Sequence, residues 1–130
     1  MRRAWMIVMM TVTLIAMISC ARNRDPHNES AAVANLRVIN TAEVTFLSNE
    51  GEYGTIPELI NAGLLDSRFH SIVAGYRFEI LLAGKEYVAT ATPTAPNFGR
   101  FEYYSSPDGV VRYSTAATWA PPGQAGRPVQ

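Results

Sequence analysis

Chemistry needs reactive groups within reach of one another, and this chain is sparing with them. Its one cysteine is Cys20 and its two histidines are His27 and His70, neither with a second ligand at metal-binding spacing. The serines fall in turns or at the ends of elements, so no nucleophile meets a base. No two carboxylates are set in contrasting environments, and no glycine-rich phosphate cradle links a strand to a helix. The expectation is a protein that is not an enzyme, with no metal, cofactor or small-molecule substrate. Two polar residues do break the local pattern. Asn40 and Glu43 fall inside the apolar stripe of a helical window. A buried carboxylate must be paired or hydrogen-bonded, and Arg77, Arg100 or loop N–H groups are the available partners. Of two readings, a contact for recognition or polymerisation and a structural polar anchor fixing the helix against its loops, the anchor is preferred.

The window that holds them is Asn28 to Asn49, NESAAVANLRVINTAEVTFLSN. At about 100° per residue, Ala32, Val33, Leu36, Ile39, Val44, Phe46 and Leu47 share one half of a helix, while Arg37, Thr41, Thr45 and Ser48 take the other. Leu36, Ile39, Phe46 and Leu47 are the expected core face. Asn28 or Ser30 suits the cap, Glu29 the positive end of the dipole, and Asn49 or Gly51 a left-handed exit. A short second helix follows, with Thr55 or Ile56 near its cap, Pro57 in its first turn and Gly63 at its end. From Gly75 the period becomes two. Tyr76, Phe78, Ile80 and Leu82 alternate with Arg77, Glu79 and Leu81, and Ala83-Gly84-Lys85 turns into a strand with Tyr87, Ala89 and Ala91 on one face. Arg100 to Ser105 and Val110 to Ser114 flank the turn signal Ser106-Pro107-Asp108-Gly109, where Asp108 reads as turn chemistry. The fold class is therefore α+β: a long N-terminal amphipathic helix packed on a four-stranded antiparallel sheet, with a short helix in the connection. Residues 116–130, with three prolines and little apolar bulk besides Trp119 and Val129, are expected to form a flexible tail.

With 130 residues, 48% of them hydrophobic, the chain has room for one small domain, residues 28–115, plus appendages. Eleven basic and eleven acidic residues, without a basic run, argue against nucleic-acid binding. Residues 1–20 have the layout of an export signal: Arg2-Arg3, an apolar run from Ala4 to Ile18, then Ser19-Cys20. The run is short for a membrane span of about 20 residues. Its end resembles the lipobox of bacterial lipoproteins, which implies cleavage before Cys20 and lipidation of its sulfur; Met17 stands where leucine is usual. Several acyl chains would tether the domain firmly. Residues 21–27, ARNRDPH, read as a linker.

Four phrases in order, NESAAVANLRVINTAEVTF, YGTIPELINAGLLD, GYRFEILLAGKEYVATATP and SPDGVVRYS, resemble the soluble head of type IV pilin-like proteins, closest to the major pseudopilins of type II secretion. The resemblance covers about Asn28 to Ser114 and implies a helix-on-sheet head in a subunit of a helical fibre. The start of the chain departs from that pattern, since no glycine and no acidic residue occur in Met1 to Cys20 and Pro26 interrupts the join. Nor does Pro93 to Gly99, PTAPNFG, offer the carboxylates with which relatives of the secretion type bind calcium. The leading expectation is an exported, non-enzymatic pilin-like lipoprotein of the bacterial envelope, tethered to the membrane with its domain in the periplasm or at the surface. It would act by protein–protein contact, with a secretion or pilus apparatus as the partner. The alternative is a divergent pseudopilin held by an uncleaved N-terminal helix and self-associating into a fibre. A third reading gives the exposed sheet face, with Arg77, Glu79, Glu102 and Tyr104, to a peptide or glycan.

Overall fold

A computed structural model of the chain describes residues 26–130. The expected signal segment, Cys20 and residues 21–25 of the expected linker lie outside the described residues. The long helix α1 spans Pro26–Glu50 and the short helix α2 spans Ile56–Asn61. A 3-10 turn, Ser67–His70, leads to strands β1 (Tyr76–Ala83), β2 (Glu86–Pro93), β3 (Tyr103–Ser105) and β4 (Val111–Tyr113). The strands form one antiparallel sheet in the order β1-β2-β3-β4. The protein is thus α+β, with α1 laid against β2, β3 and β4. Among the described residues, no helix is long and apolar enough to cross a membrane.

Helix α1 starts two residues earlier than its pattern indicates. Proline fits the first turn, where its missing N–H has no helical acceptor to lose, so Pro26 opens the helix rather than ending the linker, and Asn28 and Ser30 lie inside it instead of capping it. At the other end Gly51, with φ of 79°, takes the left-handed exit and donates to Leu47 O at 2.9 Å. Glu29 in the first turn is drawn sideways: its carboxylate accepts from Arg100 N–H at 2.8 Å and from the Arg100 guanidinium at 3.3 and 3.4 Å. Helix α2 follows its capping signals, since the Glu58 carboxylate accepts from both the Thr55 N–H (2.7 Å) and its hydroxyl (2.8 Å).

Leu36 and Ile39 are fully buried, with Ala32, Val33 and Ala42 beside them. Phe46 is half-buried, its ring lying 3.0 Å from where a side chain on Gly54 would begin. Two residues expected on the covered half are not covered: Leu47 is 36% exposed and Val44 57%. Leu47 lies within about 20° of Leu36 on the helical wheel, so its exposure comes from its place along the axis, in the last turn beyond Glu43. Val44, at about 80°, sits outside the strip that a sheet can touch.

In the sheet, Tyr76, Phe78, Tyr87, Ala89, Ala91, Tyr103 and Val111 face the core. Ala89 and Ala91 have no exposed surface, as expected where α1 crosses β2 at close range. Phe78 meets Phe69 of the 3-10 turn edge-on at 5.4 Å, which ties the α2 region to the first strand. The last two strands are shorter than their alternation indicates. Glu102 N–H leaves the ladder to donate to Trp119 O at 3.0 Å, and Glu102 O accepts from Ser114 N–H at 2.8 Å.

The expectation of a flexible tail is overturned. Residues 126–129 run along β4: Tyr113 N–H donates to Arg127 O (3.1 Å), Val129 N–H to Val111 O (2.9 Å) and Gly126 N–H to Tyr113 O (3.2 Å), with a bridge between Arg112 and Pro128. Composition misled because one short segment needs no core of its own when an open sheet edge supplies backbone partners.

Gly99 packs its backbone against Tyr76, whose hydroxyl donates to Phe101 O at 3.0 Å. A methyl group at position 99 would stand 2.6 Å from Tyr76 Cζ and closer still to its hydroxyl oxygen. Tyr76 has no exposed surface and cannot swing clear. Gly99→Ala is therefore expected to lower stability by about 1 to 3 kcal/mol in urea unfolding. The loss should shrink in a Tyr76→Phe background; an equal loss there would assign it to the backbone instead.

Candidate functional site: a buried polar row on the long helix

Asn40 and Glu43 lie one turn apart on α1 and are 7% and 0% exposed. They face the sheet because the apolar residues on either side of them, Leu36, Ile39 and Ala42, pin that side of the helix down. Asn40 Oδ1 accepts two hydroxyl hydrogen bonds, from Tyr87 at 2.8 Å and from Ser105 at 2.8 Å. One amide oxygen thereby joins α1 to β2 and β3. Burial pushes the Tyr87 phenol far above its ordinary pKa, with Glu43 adding to the effect, so the hydroxyl remains a donor. Tyr87 is in turn capped by Tyr53, edge-on at 4.8 Å.

Glu43 holds the other side of the same region. Its Oε2 accepts from Gly54 N–H at 2.9 Å, fastening the α1–α2 connection to the helix. Of the partners considered from sequence, a loop N–H fills the role; Arg77 is exposed, and Arg100 is engaged by Glu29. Glu43 Oε1 and Asn40 Nδ2 have no hydrogen-bond partner among the described residues. Burial pushes the Glu43 carboxyl above its ordinary range, the Gly54 bond pulls it back, and the nearby Glu58 charge pushes it up again.

A carboxyl whose pKa is raised by folding binds its proton more tightly in the folded chain. Its contribution is fully present below the ordinary carboxylate range and is lost as pH rises through the raised value. Glu43→Gln keeps an oxygen for Gly54 and removes the charge. The variant should gain stability relative to the parent at neutral pH, and the gain should fade as pH falls below the carboxylate range. Denaturant midpoints measured from pH 4 to pH 8 check this; a difference that does not vary with pH would refute it.

Elsewhere the polar groups serve local geometry. Asp108 accepts from Val110 N–H at 3.0 Å and Ser106 Oγ at 3.1 Å and pairs with Arg112 at 2.7 Å. These contacts, the Arg112 guanidinium first among them, hold its carboxyl down at about 2. Asp108 is thus occupied within its own turn. His70 lies exposed in the 3-10 turn. No group of three His, Cys, Asp or Glu residues among those described is placed to hold a metal ion.

The structure brings Asn40 and Glu43 together and sets Leu36 and Ile39 beside them, but separates Leu47, which faces solvent. Sequence reasoning missed Tyr87 and Ser105 as partners of Asn40. The available signal was that both share the inward face of their strands, the face on which a buried amide must find its hydrogen bonds. Comparison with protein-family models, with characterised proteins and with solved structures gives no match.

Proposed function

We propose that this chain is a non-enzymatic, exported pilin-like lipoprotein, tethered to the bacterial envelope through Cys20 and acting by protein–protein contact. A type II secretion or type IV pilus system is the kind of partner that its resemblance implies. The observation that carries the reading is the helix-on-sheet arrangement, in which α1 lies across β2, β3 and β4 and its polar row binds the connecting loop and two strands. The four phrases of resemblance fall in order on most of α1, on α2, on β1 and β2, and on β4 with the turn before it. The buried polar row supports a mechanical role. Its hydrogen bonds fix the orientation of the helix, as a head presenting a fixed surface to a partner requires.

The intact mass of membrane-extracted protein, beside a Cys20→Ala control, tests the reading. The expected result is a chain that begins at Cys20 with added acyl mass, lost in the control. A full-length, unmodified chain would overturn the lipoprotein.

A further inference from the structure

The two edges of the sheet are finished differently. Residues 126–129 close β4, whereas among the described residues β1 has no strand beyond it. Tyr76 exchanges two hydrogen bonds with Val73 (2.9 and 3.0 Å) on that outer side. Alternation along the strand then points the N–H and C=O groups of Phe78, Ile80 and Leu82 the same way, and among the described residues none of them has a backbone partner there. β1 is eight residues long, with no bulge and no proline, so apart from the charges of Arg77 and Glu79 near its start it carries few of the usual protections of an edge. Its far end is also greasy: Leu81 is 63% exposed and Leu82 44%, and Val88, the neighbour of Leu81 on β2, is 37% exposed.

We propose that this free edge of β1 joins the same edge of a second copy of the chain, antiparallel about a two-fold axis at Leu81. Charge and sterics exclude the registers centred on Phe78, Glu79 and Ile80. Centring the pair on Glu79 would set two like carboxylates face to face. Centring it on Phe78 would require the edge of Tyr76, which Val73 occupies. Centring it on Ile80 would press each Glu79 onto the Leu81 of the other copy, covering a charge with an apolar side chain. Centring it on Leu81 packs leucine on leucine and pairs Ile80 with Leu82 twice through the open ladder groups. Each Glu79 then lies opposite Ala83, between Arg77 of its own strand and Lys85 of the second copy. The partner is a second copy because the surface is complementary to itself, and the two-fold closes it as a dimer.

Cysteine scanning on the purified full-length chain in detergent, oxidised with copper phenanthroline, tests the proposal. Residues facing each other in this register have Cα atoms about 4.5 Å apart, within disulfide reach, whereas the two Glu79 positions are offset by about 13 Å along the strands. Leu81→Cys should give a disulfide-linked dimer in at least tenfold higher yield than Glu79→Cys, with the linkage mapped to residue 81. Leu81→Lys should abolish the dimer seen by sedimentation while leaving the circular dichroism spectrum of the folded chain unchanged, since Leu81 is 63% exposed and lies outside the core. Equal yields from the two cysteine variants, or a persistent monomer, would overturn the proposal. So would capture at residue 81 of a different protein when the same variant is oxidised in intact cells.

Discussion

Replacing Asn40 with alanine is expected to be among the most damaging single changes in the domain. Its amide oxygen is the acceptor for both the Tyr87 hydroxyl and the Ser105 hydroxyl, each at 2.8 Å. Tyr87 and Ser105 are 1% and 0% exposed, so water cannot take the place of the lost oxygen. Each stranded donor costs about 1 to 3 kcal/mol, and the two together approach a large part of the net stability of about 5 to 15 kcal/mol for a typical domain. Equilibrium unfolding in urea measures the loss. A double-mutant cycle separates the mechanism from simple cavity formation: with Tyr87→Phe already in place, Asn40→Ala should cost clearly less, because one donor has been removed in advance. Additive losses would show that the shared oxygen is not what matters.

Leu36→Ala is the second large effect, at about 2 to 5 kcal/mol. Leu36 has no exposed surface and stands where α1 meets the sheet, with Ile39 and Ala32 above and below it. Neighbours on a β-sheet are held by their ladders and cannot collapse into the space, which favours the upper part of that range. The adjacent Arg37 points outward, and Arg37→Ala should change stability little. If the two substitutions had equal effects, the helix would have to be rotated from the orientation described here. Circular dichroism melts on both variants, at one protein concentration, make the comparison.

The long helix, the four strands and the short capped helix are legible in the residues because each announces itself locally. Alternation from Tyr76, the SPDG turn and the Thr55–Glu58 cap all depend on neighbours a few positions away. The burial of Asn40 and Glu43 is equally local, being fixed by their place on the wheel. What holds them is not, since Tyr87 lies 47 positions from Asn40 and Ser105 lies 65, and only the closed sheet brings them together. Leu47 shows a different limit. Periodicity gives the direction of a side chain around the helix axis but not where along that axis the opposing surface stops. The final segment was misjudged for a related reason: its attachment to β4 uses backbone groups, which every sequence carries alike.

The strip that closes β4 has a consequence for the order of events as the chain is made. Residues 126–129 are separated from β4 by the whole of residues 114–125, so β4 emerges from the ribosome well before its cover does. During that interval both borders of the sheet are unprotected, and the newborn domain is most exposed to wrong pairing just before it is finished. A chaperone that shields extended segments would be needed only until Val129 has cleared the exit and settled on β4.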